Sequence, residues 1–99
     1  MEKMCIFDNG YTYRIRKEEV GCSVFGPGVF IEGDDVLYDI LKVIHDNGIE
    51  KGYENLLIIY DVEKGTLKND LLEMAEGFKA QGIFSELADK ITNFLRGDV

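Results

Sequence analysis

The run DDVLYDILKVIHDNG, residues 34–48, constrains this chain more than any other stretch. Val36, Leu37, Ile40, Leu41, Val43 and Ile44 recur at helical spacing and make one broad apolar face, with Tyr38, Asp39, Lys42 and His45 opposite. Asp34 or Asp35 caps the start and Gly48 stops the end. A helix with so wide an apolar face must bury it, so the rest of the chain has to supply a cover. His45 lies near the helix end, away from that face, and reads as a cation matched to the helix dipole.

Helical spacing returns at Thr66. Leu67, Leu71, Met74 and Phe78 form a core stripe that Gly82 closes. Beside it runs a second stripe, Lys68, Leu72, Ala75 and Lys79, while Asp70, Glu73 and Glu76 lie elsewhere on the wheel. A last helix, capped by Ser85, carries Leu87, Ile91, Phe94 and Leu95 on one side and ends at Arg96-Gly97. Between the clear helices, Tyr53–Val62 is ambiguous. Its LLIIY core has the β-branched and aromatic content of a buried strand, and read as a helix it leaves Ile58 and Ile59 unpaired, so the residues alone lean towards strand.

Ahead of the helices the pattern has period two. Tyr11, Tyr13 and Ile15 alternate with Thr12, Arg14 and Arg16, as in a half-buried strand. The Asn9-Gly10 pair before it is a hairpin signal, which lets Lys3–Phe7 pair with that strand. Cys22–Phe25 and Val29–Glu32 flank Gly26-Pro27-Gly28, a tight connection, so the sheet is expected to be small and antiparallel. That glycine–proline turn precedes a strand and not a helix, which removes it as a phosphate loop.

Ninety-nine residues, 45% of them hydrophobic, make one domain with a modest core. The net charge is −8, and residues 1–33 carry only one unit of it, with five acids against four bases. Such a field repels phosphate backbones, which argues against nucleic acid as a partner. Cys5 and Cys22 stand alone, outside any CxxC pair, and read as reduced thiols. Asp34-Asp35 reads as a helix start and not a carboxylate dyad, and Asp61/Glu63 and Asp70/Glu73 have no histidine or cysteine at ligand spacing, so no metal or other cofactor is expected. No apolar run approaches membrane-spanning length, and MEKMCIF lacks a signal-type apolar core; the expected location is the cytoplasm.

Taken in order, three segments resemble the PqqD-like peptide chaperones, also called RiPP recognition elements. YRIRKEEVGCSVF, residues 13–25, is similar to the opening strand–turn–strand of that family; DDVLYDILKVIHDNG, residues 34–48, to its first helix and stop; and YDVEKGTLKNDLLEMAEGFKAQGIF, residues 60–84, to its last helix and the glycine-apolar exit. Residues 11–84 carry the likeness, with residues 1–10 as an N-terminal extension (a candidate extra strand) and residues 85–99 as a helical extension. Asp34-Asp35 stand where the family more often has asparagine.

The resemblance implies an α+β fold: a winged helix-turn-helix with a three-stranded antiparallel sheet, three helices and the additional C-terminal one. It turns Tyr53–Tyr60 into a short second helix. It also implies a protein with no catalysis of its own, which holds the leader of a ribosomally made precursor peptide and presents it to a modifying enzyme, often a radical-SAM maturase. The leader would add as a strand beside Val29, Phe30, Ile31 and Glu32, against a helix surface of Lys68, Leu71, Leu72, Ala75 and Lys79. In that arrangement Leu72 and Ala75 make a shallow floor, Lys68 and Lys79 meet leader carboxylates, and the protein is a monomer or homodimer. The competing expectations are an acidic inhibitor that binds another protein, such as a toxin-immunity or anti-defence factor, and a DNA reader, which the acidic charge disfavours.

Overall fold

The computed structural model describes residues 2–97. The chain runs as four strands and then four helices: β1 (Lys3–Asp8), β2 (Tyr11–Lys17), β3 (Cys22–Gly26), β4 (Val29–Gly33), α1 (Asp35–Asn47), α2 (Ile49–Tyr60), α3 (Lys64–Gln81) and α4 (Ser85–Arg96). The strands form one antiparallel sheet in the order β1-β2-β3-β4. The fold is therefore α+β, with one strand more than the three expected for the sheet. The early run Lys3–Phe7 is that strand, paired to β2 through Asn9-Gly10, whose φ values of 50° and 82° are those of a two-residue hairpin turn. The N-terminal extension thus completes the sheet. Met1 and residues 98–99, the outer ends of the two extensions, lie outside the described residues.

The sheet has an inner and an outer face. Met4, Tyr13, Ile15, Cys22 and Val24 are buried on the inner side, where α1 packs on β2 and β3 and α4 packs on β1. Outward point Cys5, Phe7, Arg14, Phe25, Phe30 and Glu32, as the strand period requires. Cys5 is exposed on one face and Cys22 buried on the other; both are free thiols. Burial pushes the Cys22 thiol above its ordinary pKa, so it stays protonated and packs as an apolar group.

α1 begins as its sequence dictates, with the Asp34 carboxylate accepting from the Leu37 amide at 2.8 Å. Asp35 reaches the Gly21 amide at 2.9 Å and so ties the helix start to the β2–β3 loop. His45 is exposed in the last turn, beside Asp46.

The segment that leaned towards strand is helical. Leu56 is fully buried and Gly52 lies against the α1 backbone at Ile44, so packing on α1 overrides the β-branched propensity. Ile58 and Ile59, the two residues without a place on the helical face, are 79% and 60% exposed.

α4 starts differently from what Ser85 promises. Ser85 is the first helical residue and makes no capping bond; Phe84, at φ 48°, holds the N-cap position. The cap comes from β1. The Asp8 carboxylate, 3% exposed, accepts from the Glu86 and Leu87 amides at 3.1 and 2.8 Å. Phe84 tolerates its left-handed backbone because its ring is locked between Tyr13 and Phe78, at centroid distances of 4.5 and 5.0 Å. No helix among the described residues is long and apolar enough to cross a membrane.

Candidate functional site

β4 pairs with β3 alone, so its other side is a sheet edge. The direction of each edge group follows from a parity that can be traced across the sheet. Asp8 and Tyr11 close the two-residue Asn9-Gly10 turn and form a hydrogen-bonded pair, and in an antiparallel ladder such pairs recur at every second residue. The Lys17 amide donates to the Glu2 carbonyl at 2.9 Å, as this alternation requires. Odd-numbered residues of β2 therefore bond to β1, and Thr12, Arg14 and Arg16 bond to β3. In turn Cys22, Val24 and Gly26 bond to Gly33, Ile31 and Val29. The N–H and C=O groups of Phe30 and Glu32 are left pointing away from the sheet.

Side chains follow the same alternation. Phe30 and Glu32 lie on the outer face and are exposed, whereas Val29 and Ile31 face inward and are half-buried against the core. Of the neighbouring pair Phe30 and Ile31, only Ile31 looks towards the helices.

The helix side of the site departs from expectation. Lys79 Nζ lies 2.7 Å from the Asp89 carboxylate of α4, which fixes the flank of Lys68, Leu72, Ala75 and Lys79 as the one turned to α4. Ala75 has no exposed surface, and neither has Ala88 on α4; small residues at both positions suit the close approach of two packed helices. Ala75 is thus no floor for a guest side chain, and Leu71, 2% exposed, belongs to the core. Lys68 is exposed and Leu72 half-buried on this same flank.

The opposite flank of α3 carries Asp70, Met74, Gly77 and Gln81, again at i, i+4, i+7 and i+11. At its C-terminal end Gln81, Gly82 and Ile83 line a cleft of about 320 Å³ together with Tyr11, Tyr13 and the Pro27-Gly28-Val29 turn. The C-terminal end of this flank, at Gln81, therefore lies beside Val29 at the start of β4. Gly77 is half-buried, yet a carbon added in place of its missing side chain would meet nothing within 4 Å, so it leaves a notch in the helix surface. Gly77→Ala should raise stability by about 0.5–1 kcal/mol, because mid-helix glycine is costly. If a guest occupies the notch, the same change weakens guest binding; thermal melts and a peptide titration read the two effects separately, and unchanged affinity would remove Gly77 from the site.

No protein-family model, curated protein or solved structure matches this chain. Its chemistry has to be read from its own geometry. Among the described residues no three histidine, cysteine or carboxylate side chains gather as a metal set. The outer face of the sheet holds its own organised groups: Arg16 and Ser23 both donate to Glu18, at 2.8 and 3.0 Å, and the Arg16 guanidinium sits 5.4 Å above the Phe25 ring. The Arg16 bond, with help from Ser23, holds the Glu18 carboxyl below its usual pKa.

Proposed function

We propose that this protein binds an extended peptide by adding it to β4 as a fifth strand, and that the peptide is the leader of a ribosomally made precursor delivered to a modifying enzyme such as a radical-SAM maturase. On this reading the protein is itself non-catalytic, and α1, α2 and α3 with the β3–β4 hairpin form a winged helix-turn-helix. The observation that carries the proposal is the state of the β4 edge. An unpaired edge is a hazard that proteins blunt with lysine, proline, a bulge or a covering element. The β4 edge has an unbroken register with β3, no lysine and no proline, and apolar residues at three of its first four positions. The opposite edge, on β1, carries Lys3 and is tied at its end to α4 through Asp8.

Four outward groups, the N–H and C=O of Phe30 and of Glu32, suffice for a short ladder. At about 0.5–1.5 kcal/mol net per bond they contribute about 2–6 kcal/mol, to which side chains against Ile31 and the Met74–Gly77 flank would add selectivity. The test is a nitrogen-15 titration of the labelled chain with a leader peptide encoded beside its gene, supplemented by random twelve-residue peptides selected by display. Amide shifts concentrated at residues 29–33 and 70–81 are expected; shifts confined to other elements would contradict the proposal.

A second reading has its own observation. Ile58, Ile59 and Val62 are exposed at the end of α2, with Glu54, Asp61 and Glu63 around them. Exposed apolar residues flanked in the chain by carboxylates are what an acidic inhibitor presents to a basic partner. Ile58→Ser together with Ile59→Ser should leave peptide binding unchanged under the first reading and abolish partner binding under the second.

A further inference from the structure

We propose that β4 selects its guest by a three-residue pattern: basic, then aliphatic, then aromatic or large apolar. The inference rests on strand addition at β4 and names the chemistry that such a strand must carry. Cross-strand neighbours on one face of a sheet are its unit of side-chain stabilisation, so each row that ends at β4 defines a seat for the next residue along it.

The first row runs Cys5, Arg14, Phe25, Phe30 on the outer face. Phe25 and Phe30 are packed at 5.0 Å between centroids, and Phe30 remains 56% exposed, with the rim of the sheet beyond it. A guest residue directly opposite extends this pair, and an aromatic or large apolar side chain gains most from doing so.

The second row runs Lys3, Arg16, Ser23, Glu32. Its interior charges are already matched, since Arg16 and Ser23 are both engaged with Glu18. Glu32 forms no ion pair among the described residues and ends the row at the free edge. Opposite it, lysine or arginine is favoured and a carboxylate is repelled. The wider field acts in the same direction, because the chain carries −8 overall.

Between the two rows the guest turns one side chain inward, beside Ile31, which is half-buried against the core, and an aliphatic group fits there. An antiparallel guest, the geometry of every pair in this sheet, meets Glu32 first and Phe30 last. Its sequence is then Lys or Arg, aliphatic, aromatic. Lys68 and Lys79, expected to receive leader carboxylates, lie on the flank of α3 turned to α4, and Lys79 is held by Asp89; the guest's own charge is positive instead.

Three acetylated nonapeptides test this, each with threonine flanks and a central Lys-Val-Phe, Glu-Val-Phe or Lys-Val-Ser. They are titrated to millimolar concentration into the nitrogen-15-labelled protein and its Glu32→Lys variant. On the wild-type chain, Lys-Val-Phe should bind about fivefold tighter than either of the others. On Glu32→Lys, Glu-Val-Phe should overtake Lys-Val-Phe. Shifts on β4 with no reversal between the two proteins overturn the pattern and leave strand addition standing. If no peptide shifts β4 in either protein, strand addition falls and the pattern with it.

Discussion

Glu32→Pro should severely weaken guest binding while the protein stays folded. The parity of the ladder sends the Glu32 N–H outward, so proline there removes nothing from the β3–β4 pairing. Edge strands accept proline at such positions, and the expected loss of stability is about 1 kcal/mol. For a guest strand the change is severe. One of four ladder groups is gone, and the pyrrolidine ring stands where the guest backbone must approach. Affinity should fall more than about tenfold, equivalent to about 1.4 kcal/mol. Ile31→Pro is the contrasting variant. Its N–H bonds to Val24, so proline there disrupts the hairpin itself, and circular dichroism should show loss of structure. Glu32→Ala keeps the backbone donor and should cost about two- to threefold with a basic guest. A Glu32→Pro protein that binds guest as tightly as wild type would refute strand addition.

Asp8→Ala should lower the melting temperature by about 10–20 °C. Asp8 is a buried carboxylate that accepts two backbone amides at the start of α4. Its loss leaves both amides without partners, at about 2–3 kcal/mol, and about 4–8 °C accompanies each kcal/mol in a domain of this size. Asp8→Asn retains one carbonyl oxygen and should fall between the two. Hydrogen exchange at Glu86 and Leu87 should rise selectively, with the exposure of Ala75 and the Lys79–Asp89 pair following as α4 loosens from α3. A melting temperature within about 2 °C of wild type would show that α4 is held by its apolar face alone.

These two residues also mark how far the sequence could be read. Asn9-Gly10, the Asp34 cap, Gly48 and Gly82 were legible because each encodes a local backbone requirement, and the structure uses each one there. The VFIE run was legible as a strand for the same reason, through its period and the turn before it. The cap of α4 was hidden: Asp8 lies 78 residues before Glu86, and the serine at the helix start offered a plausible local answer. Tyr53–Tyr60 misled because five consecutive apolar residues fit a strand or a packed helix equally, and Gly52 against α1 decides between them.

The helix flank shows a different limit. Spacing identifies a stripe beside the core of α3, but the two sides of that core are equivalent until a neighbour packs on one. α4 packs on the lysine side, which buries Ala75 and engages Lys79. On the other side Gln81 lines a cleft with Val29, and only the mid-helix Gly77 carried a signal that this side differs.

Amide hydrogen exchange along β4, with and without a bound peptide, tests the account most directly. In the free protein Phe30 and Glu32 should exchange quickly and Val29, Ile31 and Gly33 slowly. Guest binding should then protect Phe30 and Glu32 and leave the other three nearly unchanged. Protection that rises evenly along β4, or that appears instead at Lys3, Cys5 and Phe7 on the opposite edge, would contradict it.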